Sequence, residues 1–207
     1  MKHASIAAGF LVLIASSCGS TVQEQRAEPR RGETVTTAPA PKAPAKITFS
    51  KTLERGDFTA DVTSTGEGNR RALALTARRA GREMAAIRDS IVGEITEALL
   101  TDLNQNELPE TLVFVRETGS NARGQVYGFE FATQNWERFQ LPTLPPEATT
   151  GYQGHDQFTV AGADLVRTFP IYRPADAPME PTGGKRTIRY ALDHTLRLTE
   201  VSIEDQP

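Results

Sequence analysis

From residue 57 to residue 203 the apolar residues recur in short runs at every second position, the period of strands with one buried face. Residues 57–63 (DFTADVT) carry Phe58, Ala60 and Val62 on one face, and 72–76 (ALALT) form a second short apolar run. Residues 111–116 (TLVFVR) are dense in strand formers, while 126–131 (VYGFEF) set Tyr127, Phe129 and Phe131 on one side. The alternation returns in 164–172 (DLVRTFPIY) and 186–192 (RTIRYAL), and 196–203 (LRLTEVSI) closes it with Leu196, Leu198, Val201 and Ile203. Turn signals separate these runs, among them a hairpin tip at Asp193-His194-Thr195. The pattern predicts an all-β domain, an antiparallel β-sandwich with barrel-like character.

Residues 82–103 (REMAAIRDSIVGEITEALLTDL) fit two descriptions. Met84, Ile87, Ile91, Ile95, Leu99 and Leu103 stand at helical spacing, which predicts a helix there. Gly93 and the β-branched pairs Ile91-Val92 and Ile95-Thr96 argue for strands instead. Pro170 cannot donate a ladder hydrogen bond, so it predicts an edge strand or a bulge. Gly183-Gly184 predicts a turn into 186–192, and Gly151 with Gly154 a tight bend around Tyr152.

Composition changes the picture at the N-terminal end. The chain begins MKHASIAAGFLVLIASSCGS, with Lys2 and His3 ahead of an unbroken small and apolar run over 6–15. That run is too short to cross a bilayer as a helix and has the layout of a bacterial secretion signal. Cys18 is the single cysteine in 207 residues, so an intramolecular disulfide is impossible. A lone cysteine after Ala15-Ser16-Ser17 resembles the lipobox of bacterial lipoproteins, which implies removal of residues 1–17 and lipidation of Cys18. Gly19 in place of Asp after it implies, by the same resemblance, the outer membrane facing the periplasm. Lipidation at two or more chains suffices for stable anchoring.

Residues 18–46 hold almost no large apolar side chain and are rich in Pro, Ala and Thr, which predicts a disordered tether. That leaves 47–207 as one domain. Losing the leader removes Lys2 alone from 23 Lys and Arg, leaving 22 against 26 Asp and Glu, a formal net charge of −4. No basic stripe points to nucleic acid or to a membrane face.

Candidate chemistry is sparse. Ser120, His155 and Asp156 could make a hydrolase set, but Ser120 is in no G-x-S-x-G elbow, and adjacent His155 and Asp156 would point to opposite faces of a strand. Zinc would need more Cys and His than the mature chain has. Asp102, Asn104, Asn106 and Glu110 stand at positions one, three, five and nine of a calcium-like loop, yet Glu107 occupies the sixth position, where a calcium turn wants Gly. A structural turn is the plainer expectation, with no metal. No spacing marks a pair of glycosidase carboxylates. A non-catalytic protein is expected.

Three ordered segments carry a resemblance. They are 99–120 (LLTDLNQNELPETLVFVRETGS), 151–176 (GYQGHDQFTVAGADLVRTFPIYRPAD) and 181–192 (PTGGKRTIRYAL). Together they resemble the periplasmic and lipid-anchored inhibitors of invertebrate-type lysozymes, over about 90 residues of the C-terminal half; residues 47–98 match only in being strand-like. The resemblance implies an all-β sandwich without a cofactor. It favours strands over a helix in 82–103, with a turn at Asp89-Ser90. It also implies a lysozyme as protein partner, met by a Gly-Ser loop that enters the active-site groove. By position that loop is 118–124, with Gly119, Ser120 and Asn121, and Tyr127 the nearest tyrosine. Asn121 stands where the family has a second Gly. Apart from the family, Arg123 could give a lysozyme carboxylate a charge-assisted bond. An envelope adaptor lipoprotein that binds a bacterial partner is the alternative, and pairing with a second copy stays open.

Overall fold

The computed structural model describes residues 45–133 and 135–207; the expected leader, Cys18 and the tether through residue 44 lie outside them. Among the described residues strand follows strand, interrupted only by one 3-10 turn at Pro146–Ala148. β1 (Ile47–Arg55), β2 (Phe58–Thr65), β3 (Arg70–Arg79) and β4 (Arg82–Val92) form a first antiparallel meander. β5 (Glu94–Thr101), β6 (Glu110–Arg116), β7 (Gly124–Phe131) and β8 (Trp136–Gln140) form a second. β9 (Gln157–Ala161), β10 (Asp164–Pro170), β11 (Lys185–Leu192) and β12 (Leu198–Gln206) form a third. None of the three closes into a barrel, so the sandwich expectation holds and the barrel-like part of it does not.

The second sheet shares a core with each of the other two. Along β6, Val113 and Val115 join a core with Phe58, Val62, Leu73, Leu75 and Ile91 of the first sheet. Their neighbours Leu112 and Phe114 face the other way, into a core with Leu165, Phe169, Ile188 and Tyr190 of the third sheet. Alternation on a strand sends successive side chains to opposite faces, so a strand apolar at every position must be covered on both sides. Residues 111–115 are all buried for that reason. Phe129 and Phe131 of β7 are fully buried on the first-sheet side, each stabilising the fold by roughly 1.5–3 kcal/mol. Gly128 lets the Phe139 ring of β8 lie directly against β7, where a Cβ would collide with it.

The strands favoured within 82–103 are β4 and β5, no short helix forms there, and the turn expected at Asp89-Ser90 is absent. Asp89 and Ser90 lie inside β4 opposite Leu73 and Ala72. The chain turns at Gly93, whose φ of +117° and close approach to the Arg116 carbonyl exclude a side chain. The helical spacing has a physical origin: residues four apart share a face on a strand as well as on a helix. The one odd step, Met84 to Ile87, spans a bulge, because Ala85 pairs with Ala77 while Glu83 pairs with Arg78. A second bulge at Thr96 separates Ile95, in the first core, from Leu99, which packs on the second.

Pro170 sits neither on an edge strand nor in a bulge. It is the last residue of interior strand β10, paired with Lys185 on one side, and β9 has ended on the other at the Gln157–Thr168 pair. No ladder donor is missed there.

Candidate functional site

Residues 117–123 link β6 to β7. The loop closes on itself where Glu117 N–H donates to the Arg123 carbonyl at 2.8 Å. Two further clamps hold it. Asn69, in the β2–β3 connection, accepts from both the Thr118 backbone N–H and its hydroxyl at 3.0 Å. From the segment leading into β9, the His155 N–H reaches the carbonyls of Asn121 and Ala122, each at 3.2 Å. Gly154, with φ +93°, makes that approach possible, since a Cβ there would collide with the Asn121 carbonyl oxygen. Gly154→Ala is therefore expected to cost roughly 1–3 kcal/mol and to loosen the loop. Thermal unfolding, together with amide exchange at residues 118–123, measures both.

Asp156 is the anchor behind the loop. Its carboxylate, with no side-chain exposure, accepts from the Gly124 N–H at 2.7 Å, the Tyr152 hydroxyl at 2.7 Å and Arg167 Nε at 2.6 Å. Arg167, whose side chain is 4% exposed, also donates Nη2 to the Tyr152 hydroxyl at 2.9 Å. Its guanidinium lies 5.2 Å from the Tyr152 ring centre, 5.5 Å from Phe169 and 6.0 Å from Phe158, a cation held among aromatic faces. Burial alone would push Arg167 down, but the bond to Asp156 and its charge outweigh it and hold the group above its ordinary range. Burial first, then the Asp156 charge and bond, push the Tyr152 phenol up, so it remains a donor. The motif Gly-Tyr-x-Gly-His-Asp thus works as a unit. Gly151 and Gly154 bend the backbone, and Tyr152 and Asp156 lock the base of the neighbouring loop.

The structure brings Gly119, Ser120, Ala122, His155 and Asp156 to the wall of one groove of about 380 Å³. It makes no relay of Ser120, His155 and Asp156. The Asp156 oxygens are taken by Gly124, Tyr152 and Arg167, and among the described residues the Ser120 hydroxyl has one side-chain hydrogen bond, to Asn121 Oδ1 at 3.4 Å. Gly119, Ser120, Asn121 and Arg123 are exposed. Tyr127 is not brought to them. It lies inside β7, packs on the first core and carries the Arg138 guanidinium 5.0 Å from its ring centre.

The Asp102 turn is filled from within. Asp102 Oδ1 and Asn104 Oδ1 both accept the Asn106 N–H, Asn106 Oδ1 accepts the Leu108 N–H, and both Asn side-chain amides donate to Glu130 Oε2 at 2.9 Å. Glu110, fully buried, accepts the Leu103 N–H at 2.8 Å. The turn's side chains serve backbone and neighbouring groups. Among the described residues no three His, Cys, Asp or Glu converge as metal ligands.

Asn69, Arg167 and Met179 belong to the site and had no sequence signal. Asn69 and Thr118 are 49 positions apart, and an Arg inside a strand pattern reads as solvent-facing. Comparison with protein-family models, curated proteins and solved structures found no match.

Proposed function

We propose that this protein is a non-catalytic, lipid-anchored envelope protein that binds and inhibits a lysozyme, of the invertebrate type, by inserting loop 117–123 into its active-site groove. The observation that carries the reading is the bracing of that loop. It is exposed at Gly119, Ser120, Asn121 and Arg123, yet tied down by Asn69, His155 and Asp156. A loop held in one shape before binding loses little entropy on binding, which favours affinity. Its tip offers the Ser120 hydroxyl and its closing residue Arg123 a guanidinium, both suited to carboxylic acids in a groove. Arg123 makes no ion pair among the described residues, so its charge is available to a partner.

The test is lysis of bacterial cell walls by invertebrate, chicken and goose lysozymes with and without the protein. Inhibition of the invertebrate enzyme is expected, weakened at least tenfold in the double variant Ser120→Ala/Arg123→Ala, whose melting temperature should match the parent. Removing two exposed side chains changes stability little. Lysis at full rate by all three enzymes at micromolar protein would exclude the inhibitor reading and favour the adaptor alternative.

A further inference from the structure

A second opening adjoins the base of the loop. It is a cleft of about 290 Å³ walled by the start of β7, the chain that follows β8, and Arg167 of β10, and it shares no lining residue with the Ser120 groove. Arg123, Arg167 and Tyr152 line it together with the apolar side chains of Leu141, Pro142 and Leu144.

The charges at this cleft are one-sided. Two arginines line it and no Asp or Glu does. Arg167 is 4% exposed, and Asp156 and the Tyr152 hydroxyl engage its Nε and Nη2, which leaves Nη1 outside both bonds. Asp156 balances that charge, and its own oxygens are already bonded to Gly124, Tyr152 and Arg167. Glu147, on the neighbouring 3-10 turn, is exposed to water and lies outside the lining. Arg123 makes no ion pair among the described residues. The cleft therefore holds one uncompensated positive charge beside a buried guanidinium. A carboxylate, with one negative charge and a planar pair of oxygens, matches that arrangement. A phosphate group, nearer two negative charges, would be left partly unbalanced.

The rest of the lining describes what carries the acid. Leu141, Pro142 and Leu144 offer no side-chain hydrogen bond, so the group against them is apolar. Gln125 and Thr143 add an amide and a hydroxyl, which suit the N–H and C=O of a peptide bond. The volume stands at the small end of ligand sites, which begin at about 300 Å³, so it suits a chain end and not a folded surface. We propose that this cleft binds the free C-terminal carboxylate of a short peptide whose last residue is apolar. Arg123 and Arg167 meet the carboxylate, and residues 141–144 meet the last side chain.

The experiment is titration calorimetry of the full chain with acetyl-Ala-Leu as the free acid, the same dipeptide as its C-terminal amide, and inorganic phosphate. The acid is expected to bind, and the amide and phosphate to bind at least about tenfold more weakly. Arg167 is a poor site to mutate, because its loss strands the buried Asp156 charge. Arg123 and Thr143 are exposed, so Arg123→Gln and Thr143→Asp should keep the parent melting temperature. The first removes the free charge and the second sets a carboxylate beside the site, and each should weaken the acid about tenfold. Equal binding of acid and amide, phosphate binding as tight as the acid, undiminished binding in either variant, or no binding of the acid at millimolar concentration would each overturn the proposal. No lysozyme is present in the titration, so its outcome is independent of the lysozyme-binding reading.

Discussion

Asp156→Ala is expected to destabilise the domain by about 3–5 kcal/mol, the cost of leaving a buried partner charge uncompensated. Arg167 would then be a guanidinium with 4% exposure and no carboxylate within its pocket. The Gly124 N–H and the Tyr152 hydroxyl would lose their acceptor as well. Urea unfolding measures the loss, and amide exchange should place the added opening at 117–124 and 151–157. Arg167→Met should cost a similar amount, because it strands Asp156. The double variant Asp156→Leu/Arg167→Met should lose less than the two single losses combined, since it leaves no unpaired charge. Strict additivity would mean that the two residues act independently, contrary to the 2.6 Å bond between them.

The second large effect is a pH dependence centred on Glu110. Burial pushes its carboxyl up to about 7 from an ordinary 4.5; the backbone N–H groups of Leu103 and Asn104 oppose that, and the charges of Asp102 and Glu130 add to it. Oε1 of Glu110 is buried without a partner, consistent with a neutral carboxyl in the fold. The folded value lies above the unfolded one, so the contribution to stability is complete below about pH 4.5. It declines as the unfolded chain ionises and is lost once pH passes about 7. A shift of this size corresponds to roughly 3 kcal/mol. Glu110→Gln keeps the shape without the ionisation. Its stability relative to the parent should therefore grow by about 3 kcal/mol between pH 4.5 and pH 8, read from urea midpoints at several pH values. Parallel stability curves for parent and variant would show that Glu110 ionises freely in the fold.

Local pattern carried much of the architecture. The seven runs read from alternation, at 57–63, 72–76, 111–116, 126–131, 164–172, 186–192 and 196–203, each overlap a strand, although Asp57, Ile171, Tyr172, Leu196 and Arg197 lie outside the strands. β1, β8 and β9 were not read from the sequence: Ile47–Arg55, Trp136–Gln140 and Gln157–Ala161 are short or mostly exposed and half-buried sheet edges that bury few large apolar residues. Residues 82–103 were ambiguous for a different reason. A spacing of four serves helix and strand alike, and two bulges disguised the period of two. Of the candidate site, the loop and the Gly-Tyr-x-Gly-His-Asp motif were visible as separate segments, and nothing in either named the other.

What the sequence determined by itself was local: the strongly alternating runs, the bends at Gly151, Gly154 and Gly183-Gly184, and the polar tip at Gly119-Ser120-Asn121. These follow from backbone sterics and from the burial period of single strands. Tertiary structure decided the rest. It stacked three meanders so that β6 is covered on both faces, and it turned Tyr127 into a core rather than toward the loop. It also set Asn69, Asp156 and Arg167 around the base of one loop and Met179 across from its tip. Those meetings join residues from different sheets, and long-range pairing depends on the packing of whole faces, which no short window of sequence contains.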